Sequence, residues 1–142
     1  MEKWKEIKGF EGLYEISSYG RIKSLKEHNR GKEIVPRFDK HGYLRLNLSN
    51  NGNKKTFYIH RLVAENFVPL VNGKNTVNHI DGYRLNNKVS NLEWLTLEEN
   101  LQHANDLGLN KLSYEAVERL ARYFNTTREL IYSIANTEVP LL

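Results

Sequence analysis

The sequence contains no cysteine, so neither disulfide bonds nor thiolate-bound zinc can stabilise the fold. Any metal ion must be held by histidine, asparagine, aspartate or glutamate, and oxygen-rich ligation of this kind favours magnesium or manganese. Long apolar runs are also absent. Residues 1–5 form no hydrophobic signal core, and no segment approaches the roughly 20 apolar residues that span a bilayer. We therefore expect a soluble, cytoplasmic protein with no membrane partner.

The charge balance is basic and the chain is short. Lys and Arg number 21 against 17 Asp and Glu, which gives a net charge of +4 and a pI near 9.2. This balance favours a polyanionic partner, although charge alone is weak evidence for one. A chain of 142 residues can bury one core or join a few small modules closely.

The N-terminal half has the pattern of an antiparallel β region. In residues 4–48 the apolar residues come in short runs broken by Gly, Asn and Ser, which predicts hairpins. Leu44, Leu46 and Leu48 alternate with Tyr43 and Arg45, and a turn at residues 50–53 leads to the next strand. One face of this hairpin is therefore apolar, and the other carries Arg and Tyr.

A ββα unit is predicted in the middle of the chain. After a short amphipathic helix at residues 59–67, one strand ends at His79, a loop follows, and a second strand covers Leu92 to Leu95. The capping-box pattern of Thr96 and Glu99 then begins a helix that runs to about Leu107. Beyond residue 110, two helices joined by the turn at residues 125–127 are typical of a helix-turn-helix.

The ββα unit brings together side chains suited to breaking a phosphodiester. This reaction needs an activated water, and a metal ion that neutralises charge on the phosphate and the leaving oxygen. His79 can act as the general base that accepts a proton from water. Asn78 and Asn100 can offer amide oxygens to a divalent ion. Asn91 is better suited to bracing the loop, because one amide can hold two backbone groups.

Residues 58–103 resemble the HNH nucleases, in particular the phage-type HNH homing endonucleases. The resemblance is carried by residues 77–82 (VNHIDG), by Asn91 with Trp94, and by Asn100. It implies that His79 is the general base, that Asn100 is a metal ligand, and that Asn91 braces the hairpin loop. Residues 4–24 are similar to a short modular motif that often precedes HNH domains. The C-terminal helices resemble the helix-turn-helix that targets many such enzymes.

From the residues and the resemblance together we expect an α+β protein in three parts. These are an N-terminal antiparallel β region (1–56), a ββα-metal HNH nuclease core (57–109) and a C-terminal helix-turn-helix (110–142). The expected function is a sequence-directed endonuclease, encoded by a phage and active in the bacterial host cell. It would nick double-stranded DNA as a monomer, with a single Mg²⁺ or Mn²⁺ ion.

Two polar side chains near the base have open roles. His103 follows Asn100 by about one helical turn, where it can reach the metal ion or the scissile phosphate, or face solvent. Asp81 lies two residues after His79, where it can orient the loop or contact an imidazole behind a metal ligand. Loop structure is the simpler interpretation of Asp81.

Basic residues crowd the N-terminal half, and in a DNA enzyme they become candidate phosphate contacts. Arg45, with Tyr43 on the polar face of the same strand, is the strongest of them. In a helix-turn-helix, base-reading side chains lie at the turn and at the start of the second helix. Those positions hold Thr126, Thr127, Arg128 and Tyr132. Glu129 and Glu138 would repel phosphate, so an ordinary helical hairpin is the alternative.

Asn78 departs from the family pattern, in which the residue before the base is often Asp. A neutral amide is a weaker ligand than a carboxylate, so lower metal affinity is expected. This departure supports a rival hypothesis, a DNA-binding regulatory protein built on a catalytically decayed HNH fold. A third hypothesis is a colicin-like or defence nuclease that cuts without regard to sequence and does not need its C-terminal helices.

Overall fold

The computed structural model describes residues 1–108, 118–119, 121–122 and 125–130. Residues 1–108 contain nine β-strands and two α-helices, with the strands concentrated toward the N-terminus. Within these residues, no helix combines the length and the apolar character needed to cross a bilayer. The mixed architecture confirms the predicted α+β class.

The first sheet is antiparallel, and each of its strands pairs with the next one along the chain. Its strands are β1 (Trp4–Glu6), β2 (Tyr14–Ser17), β3 (Ile22–Ser24) and β4 (Glu33–Ile34), with a short 3-10 helix at Glu27–Asn29 before β4. Ile16 and Ile22 face each other across β2 and β3, and both are buried. The hairpins expected in this region are confirmed.

The second sheet contains β5 (Arg37–Phe38), β6 (Leu44–Asn50) and β7 (Asn53–Tyr58), paired in that order. The turn between β6 and β7 places Asn51 and Gly52 at φ values of 49° and 79°. Positive φ at both positions is typical of the tight turn whose twist matches a β-hairpin. Leu46 and Leu48 are buried while Arg45 is exposed, as the alternation predicts.

Helix α1 (Ile59–Phe67) follows β7 directly and packs its apolar stripe into the core. Ile59, Leu62 and Val63 are almost fully buried, which is the spacing of one helical face. Asn66, also buried, accepts a hydrogen bond from the Lys8 backbone N–H at 3.1 Å. The helix is thereby tied to the N-terminal region.

The predicted ββα unit is present. Strands β8 (Thr76–His79) and β9 (Leu92–Leu95) pair antiparallel, and α2 (Leu97–Asp106) follows them, with a 3-10 helix at Val89–Asn91 before β9. Thr96 Oγ1 accepts from the Glu99 backbone N–H at 3.1 Å, and the Glu99 carboxylate accepts from the Thr96 N–H at 2.9 Å. This reciprocal capping box fixes the start of α2 at the position that the sequence predicts.

One hydrophobic core joins the N-terminal sheet to the ββα unit. Its largest buried side chains come from both parts of the chain, and they include Ile7, Ile16, Ile22, Leu46, Leu48, Ile59, Leu62, Val63, Val77, Leu92 and Trp94. The boundary proposed after residue 56 falls inside β7. The N-terminal region therefore packs as part of the scaffold that holds the ββα loop.

The described residues of the C-terminal segment contact the rest of the protein. Arg128 donates to Glu118 at 2.6 Å, and its guanidinium lies 4.1 Å from the centre of the Phe38 ring. Thr127 Oγ1 accepts from the Leu130 N–H at 3.3 Å, as an N-terminal cap would. Tyr132 and most of the expected helix-turn-helix lie outside the described residues, so that motif stays a prediction.

Candidate active site

His79 ends strand β8 and is almost fully buried, with 6% of its surface exposed. Its Nε2 lies 2.8 Å from Asn87 Oδ1. An amide oxygen can only accept, so Nε2 carries the proton and the lone pair of the neutral ring is on Nδ1. Asn87 thus selects the tautomer that leaves Nδ1 as the basic atom.

The environment of His79 favours the neutral imidazole. Burial lowers its pKa below the ordinary value because desolvation disfavours the charged ring, while the hydrogen bond to Asn87 acts in the opposite direction. A lowered pKa means that the ring is unprotonated at neutral pH. His79 is therefore in the state that a general base requires.

Asn87 is a residue whose role the sequence analysis did not identify. It is buried and belongs to the loop between β8 and β9, eight residues after His79. The adjacent pair Asn86 and Asn87 was a visible signal, but only the path of the loop shows which amide faces the imidazole. Asn86 instead donates to Asp81 Oδ2 at 2.7 Å.

The N-terminal region holds Asn87 in place through the turn at Ser18 and Gly20. Gly20 has a φ of +87°, and a Cβ built there would lie 3.0 Å from Ile59 Cγ2 and 3.1 Å from Asn87 Cβ. The Val89 N–H donates to the Ser18 carbonyl at 2.8 Å. This turn of the first sheet is therefore packed directly behind the residue that orients the base.

We expect Gly20→Ala to destabilise the protein by about 2–3 kcal/mol, because left-handed backbone strain and a steric clash add. The matched control is Gly31→Ala, since Gly31 has a φ of +79° but open space around its Cβ position. Urea unfolding should show a cost of only about 1 kcal/mol for the control. Equal effects of the two substitutions would contradict the packing role of Gly20.

Aromatic rings enclose the other side of the imidazole. The ring centres of Tyr43 and His60 lie 6.1 Å and 5.2 Å from that of His79. Burial, reinforced by the neighbouring His79 and Arg61, lowers the pKa of His60 to about 3, so His60 is a neutral packing residue. Tyr43, expected from the sequence only as a DNA contact, lies beside the candidate base.

Asn91 connects both ends of the loop. Its Oδ1 accepts from the Asp81 N–H at 3.0 Å, and its Nδ2 donates to Asp81 Oδ1 and to the Asn86 carbonyl, both at 2.9 Å. Asp81 also accepts from the Tyr83 N–H at 2.8 Å. Asn91 and Asp81 therefore lie within one loop-holding network, and neither lines the cavity described next.

Asn78 and Asn100 line one small cavity with His79. The cavity has a volume of about 70 Å³ and lies between β8 and α2. Asn78 Nδ2 donates to Glu93 Oε1 at 2.9 Å, and Asn100 Nδ2 makes a longer hydrogen bond of 3.4 Å to Thr76 Oγ1. Each amide thereby uses its NH₂ group within the protein and retains a carbonyl oxygen that can bind a cation.

His103 and Arg84 complete the polar lining of this cavity. His103 Nε2 donates to the carbonyl of Ile80, the residue after His79, at 2.9 Å. The Arg84 guanidinium lies 4.8 Å from the centre of the Tyr43 ring. The sequence analysis left His103 between the site and solvent and did not consider Arg84. Both side chains border the cavity.

The residues proposed to contact DNA lie in different surroundings. Arg45 is exposed, and Tyr43 is partly buried at the cavity. Thr127 is exposed and Thr126 is partly buried, and the Thr126 N–H donates to the Ala121 carbonyl at 2.9 Å. The Arg128 side chain is only 23% exposed and is paired with Glu118. A DNA contact through Arg128 would have to compete with that ion pair.

The side-chain oxygen atoms at the cavity fit a hard divalent cation that also keeps water or substrate oxygens as ligands. Within residues 1–108 and the short C-terminal stretches described, no three His, Asp or Glu side chains form a metal-binding cluster. The fit instead comes from two amide oxygens, those of Asn78 and Asn100, whose NH₂ groups are already engaged. Mg²⁺ usually keeps several waters and is bound by one or two protein side chains, commonly carboxylates, together with phosphate oxygens of a substrate, so the two amides match the usual number of protein ligands but not their charge.

Two family models match consecutive parts of the chain. Residues 2–49 match the NUMOD4 motif, and residues 57–102 match the HNH endonuclease model. The second match contains His79, Asn91 and Asn100. The first match covers the first sheet, whose turn at Gly20 packs against Asn87 in the loop of the ββα unit.

Individual relatives agree with these matches. The chain is 34% identical over 131 residues to the DNA endonuclease I-HmuI of Bacillus phage SP01, which covers 92% of this chain and 72% of that protein. It is 46% identical over 110 residues to an uncharacterized HNH endonuclease of Acanthamoeba polyphaga mimivirus, covering 78% of this chain and 32% of that protein. A solved structure described as DNA binding and cleavage by the HNH homing endonuclease I-HmuI superposes with a TM-score of 0.66 at 36% identity. It covers 87% of this chain and 68% of the solved one.

Proposed function

The chain belongs to the HNH homing endonuclease family, and from that premise we propose that it is a sequence-directed, metal-dependent enzyme that nicks double-stranded DNA. The observation that carries the proposal is the shared cavity of His79, Asn78 and Asn100. It combines a neutral, oriented imidazole with two amide oxygens suited to a divalent ion. Together they can activate a water and stabilise the charge that develops during hydrolysis of a phosphodiester.

In the proposed mechanism, Nδ1 of His79 takes a proton from the water that attacks the phosphorus. Asn87 keeps the imidazole in the required tautomer by accepting from Nε2. Asn78 and Asn100 would hold one Mg²⁺ or Mn²⁺ ion, which would neutralise charge on the phosphate and on the leaving 3′ oxygen. The positive charge of Arg84 at the same cavity suits a DNA phosphate.

The proposal extends to the partner and the product. Exposed basic residues such as Arg45 would contact the DNA backbone, with Thr126, Thr127, Arg128 and Tyr132 in the C-terminal targeting module. One active site cuts one strand at a time, so a monomer would leave a nick. Such an enzyme, encoded by a phage, would act on DNA in the cytoplasm of the bacterial host.

The experiment that tests the function uses a supercoiled plasmid library of phage and host DNA fragments. Purified protein with Mg²⁺ or Mn²⁺ should convert a subset of the plasmids to nicked circles. Gel-shift assays on the same fragments report binding separately. If the circles stay intact with both metals while some fragments are bound, the decayed-nuclease hypothesis replaces the enzyme.

Deletion of residues 110–142 separates homing from nonspecific cleavage. We expect the truncated protein to keep nicking activity but to lose its preference among fragments, because the targeting module is removed. Arg128 and Glu129 contact Phe38 and Tyr83, so thermal unfolding must first show that residues 1–109 still fold. If the full-length protein nicks all fragments alike and the folded truncation does the same, the nonspecific nuclease is supported instead.

A further inference from the structure

Asn78 and Glu93 face each other across the two strands of the ββα unit. The register of β8 and β9 pairs these two residues directly, and Asn78 Nδ2 donates to Glu93 Oε1 at 2.9 Å. Asn78 is buried and Glu93 is partly buried. The carboxylate is therefore held against the side chain of a candidate metal ligand.

This contact matters for cation binding because the described side chains that line the cavity carry positive charge and no negative charge. Among the residues that line it, the structure places the cationic Arg84 but no Asp or Glu. The carboxylate of Asp81 is engaged by Tyr83, Asn86 and Asn91 within the loop. A cation in the cavity would thus lie near a positive side chain and amide ligands only, an unfavourable balance that the carboxylate of Glu93 can offset.

We propose that Glu93 is a positioning residue for the metal ion, and that it supplies through Asn78 the negative charge that this amide lacks. The proposal rests on the proposed function of the same site. A carboxylate can only accept hydrogen bonds, so it fixes the amide with its NH₂ group toward Glu93 and leaves Oδ1 for an ion. Its charge also polarises the amide and makes Oδ1 a better ligand.

Asn78 and Glu93 would together supply the ligand atom and the negative charge that a single aspartate ligand supplies alone. The ligand atom comes from β8 and the charge from β9, one strand away. A partner behind a ligand that fixes its orientation and increases its basicity typically changes metal affinity by about 10–100-fold. Glu93 is therefore expected to matter for metal binding although it does not line the cavity.

The first test compares Mn²⁺ affinities by electron paramagnetic resonance. Complexes with a duplex DNA target are used in the His79→Ala background, so that little DNA is cut during the titration, and binding to the duplex alone is subtracted. Glu93→Gln should weaken Mn²⁺ binding by about 10–100-fold. Glu98→Gln, which removes the same charge from an exposed position on α2, should leave the affinity unchanged. An unchanged affinity in Glu93→Gln overturns the proposal.

A second substitution distinguishes charge supply from simple structural support. In Asn78→Asp the ligand carries its own charge, and Glu93→Gln in that background provides an NH₂ group that can donate to the new carboxylate. This double variant should bind Mn²⁺ at least as tightly as the protein with both native residues. If Glu93→Gln weakens binding to the same extent in both backgrounds, Glu93 is a structural residue and the proposal fails.

The two proposals fail in different ways. If the protein with native Asn78 and Glu93 binds no Mn²⁺ beyond the duplex alone, the metal site itself is absent and the proposed function falls with it. If that protein binds Mn²⁺ and cleaves DNA when His79 is present, but Glu93→Gln has no effect on affinity, only the role of Glu93 is overturned.

Discussion

His79→Ala is expected to reduce the rate of DNA cleavage by about 10²–10⁴-fold, the range that a well-placed general base contributes. The side chain is buried, and its Nε2 is engaged with Asn87. Removal of the imidazole takes away the basic Nδ1 that accepts the proton from water. Single-turnover cleavage of a bound plasmid measures this loss without interference from product release.

DNA binding separates this chemical role from damage to the fold. Because His79 is not itself a proposed DNA contact, His79→Ala should bind target fragments with nearly native affinity in a gel-shift assay. His28→Ala is the matched control, since His28 lies in the short 3-10 helix at Glu27–Asn29, which has no buried residues. Cleavage by His79→Ala at the native rate would show that the base has been assigned to the wrong residue.

Asn91→Ala is expected to lower the free energy of unfolding by about 2–3 kcal/mol, because it removes from a buried side chain three part-buried hydrogen bonds at once. Three side-chain hydrogen bonds disappear together, two to Asp81 and one to the Asn86 carbonyl. Cleavage should also slow, because the same loop carries Asn87 to the base. Urea denaturation measures the first effect and plasmid nicking the second.

A neighbouring amide in the same loop provides the comparison. Asn86 makes one exposed side-chain hydrogen bond, to Asp81, so Asn86→Ala should cost no more than about 1 kcal/mol. The predicted difference tests whether Asn91 holds the loop. If both substitutions cost the same, the loop is held by its backbone hydrogen bonds and the bracing role of Asn91 is wrong.

The parts of the fold that the sequence predicted well are those specified locally. The capping box at Thr96 and Glu99 needs only neighbouring residues, and it fixed the start of α2. The turn at Asn51 and Gly52 needs two residues that tolerate positive φ, and it fixed the register of β6 with β7. Signals of this kind depend little on the rest of the chain.

The surroundings of the candidate base could not be predicted in the same way. Tyr43, His60 and Asn87 approach His79 from three different elements, and tertiary packing alone brings them together. The alternation in residues 43–48 indicated a polar face for Tyr43 but not which residue that face meets. The contact between Gly20 and Asn87 likewise depends on the shared core of two parts treated as separate modules.

The contact between Asn78 and Glu93 could be predicted from the sequence only in part. Once the two strands of the ββα unit are assigned, their antiparallel register places these residues opposite each other. The sequence analysis recognised Asn78 as a departure from the family pattern but did not consider its partner across the sheet. A weak ligand at a metal site is therefore a reason to look at the residue paired with it.

The most direct test of the central claim is addition of metal to a preformed complex. Protein is bound to a supercoiled target plasmid in EDTA, and excess Mg²⁺ or Mn²⁺ is then added while the plasmid forms are followed on a gel. Our account predicts intact circles before the addition and nicked circles after it, with nicking by His79→Ala slower by about 10²–10⁴-fold. Nicking in EDTA, or intact circles after both metals are added to a bound plasmid, would contradict it.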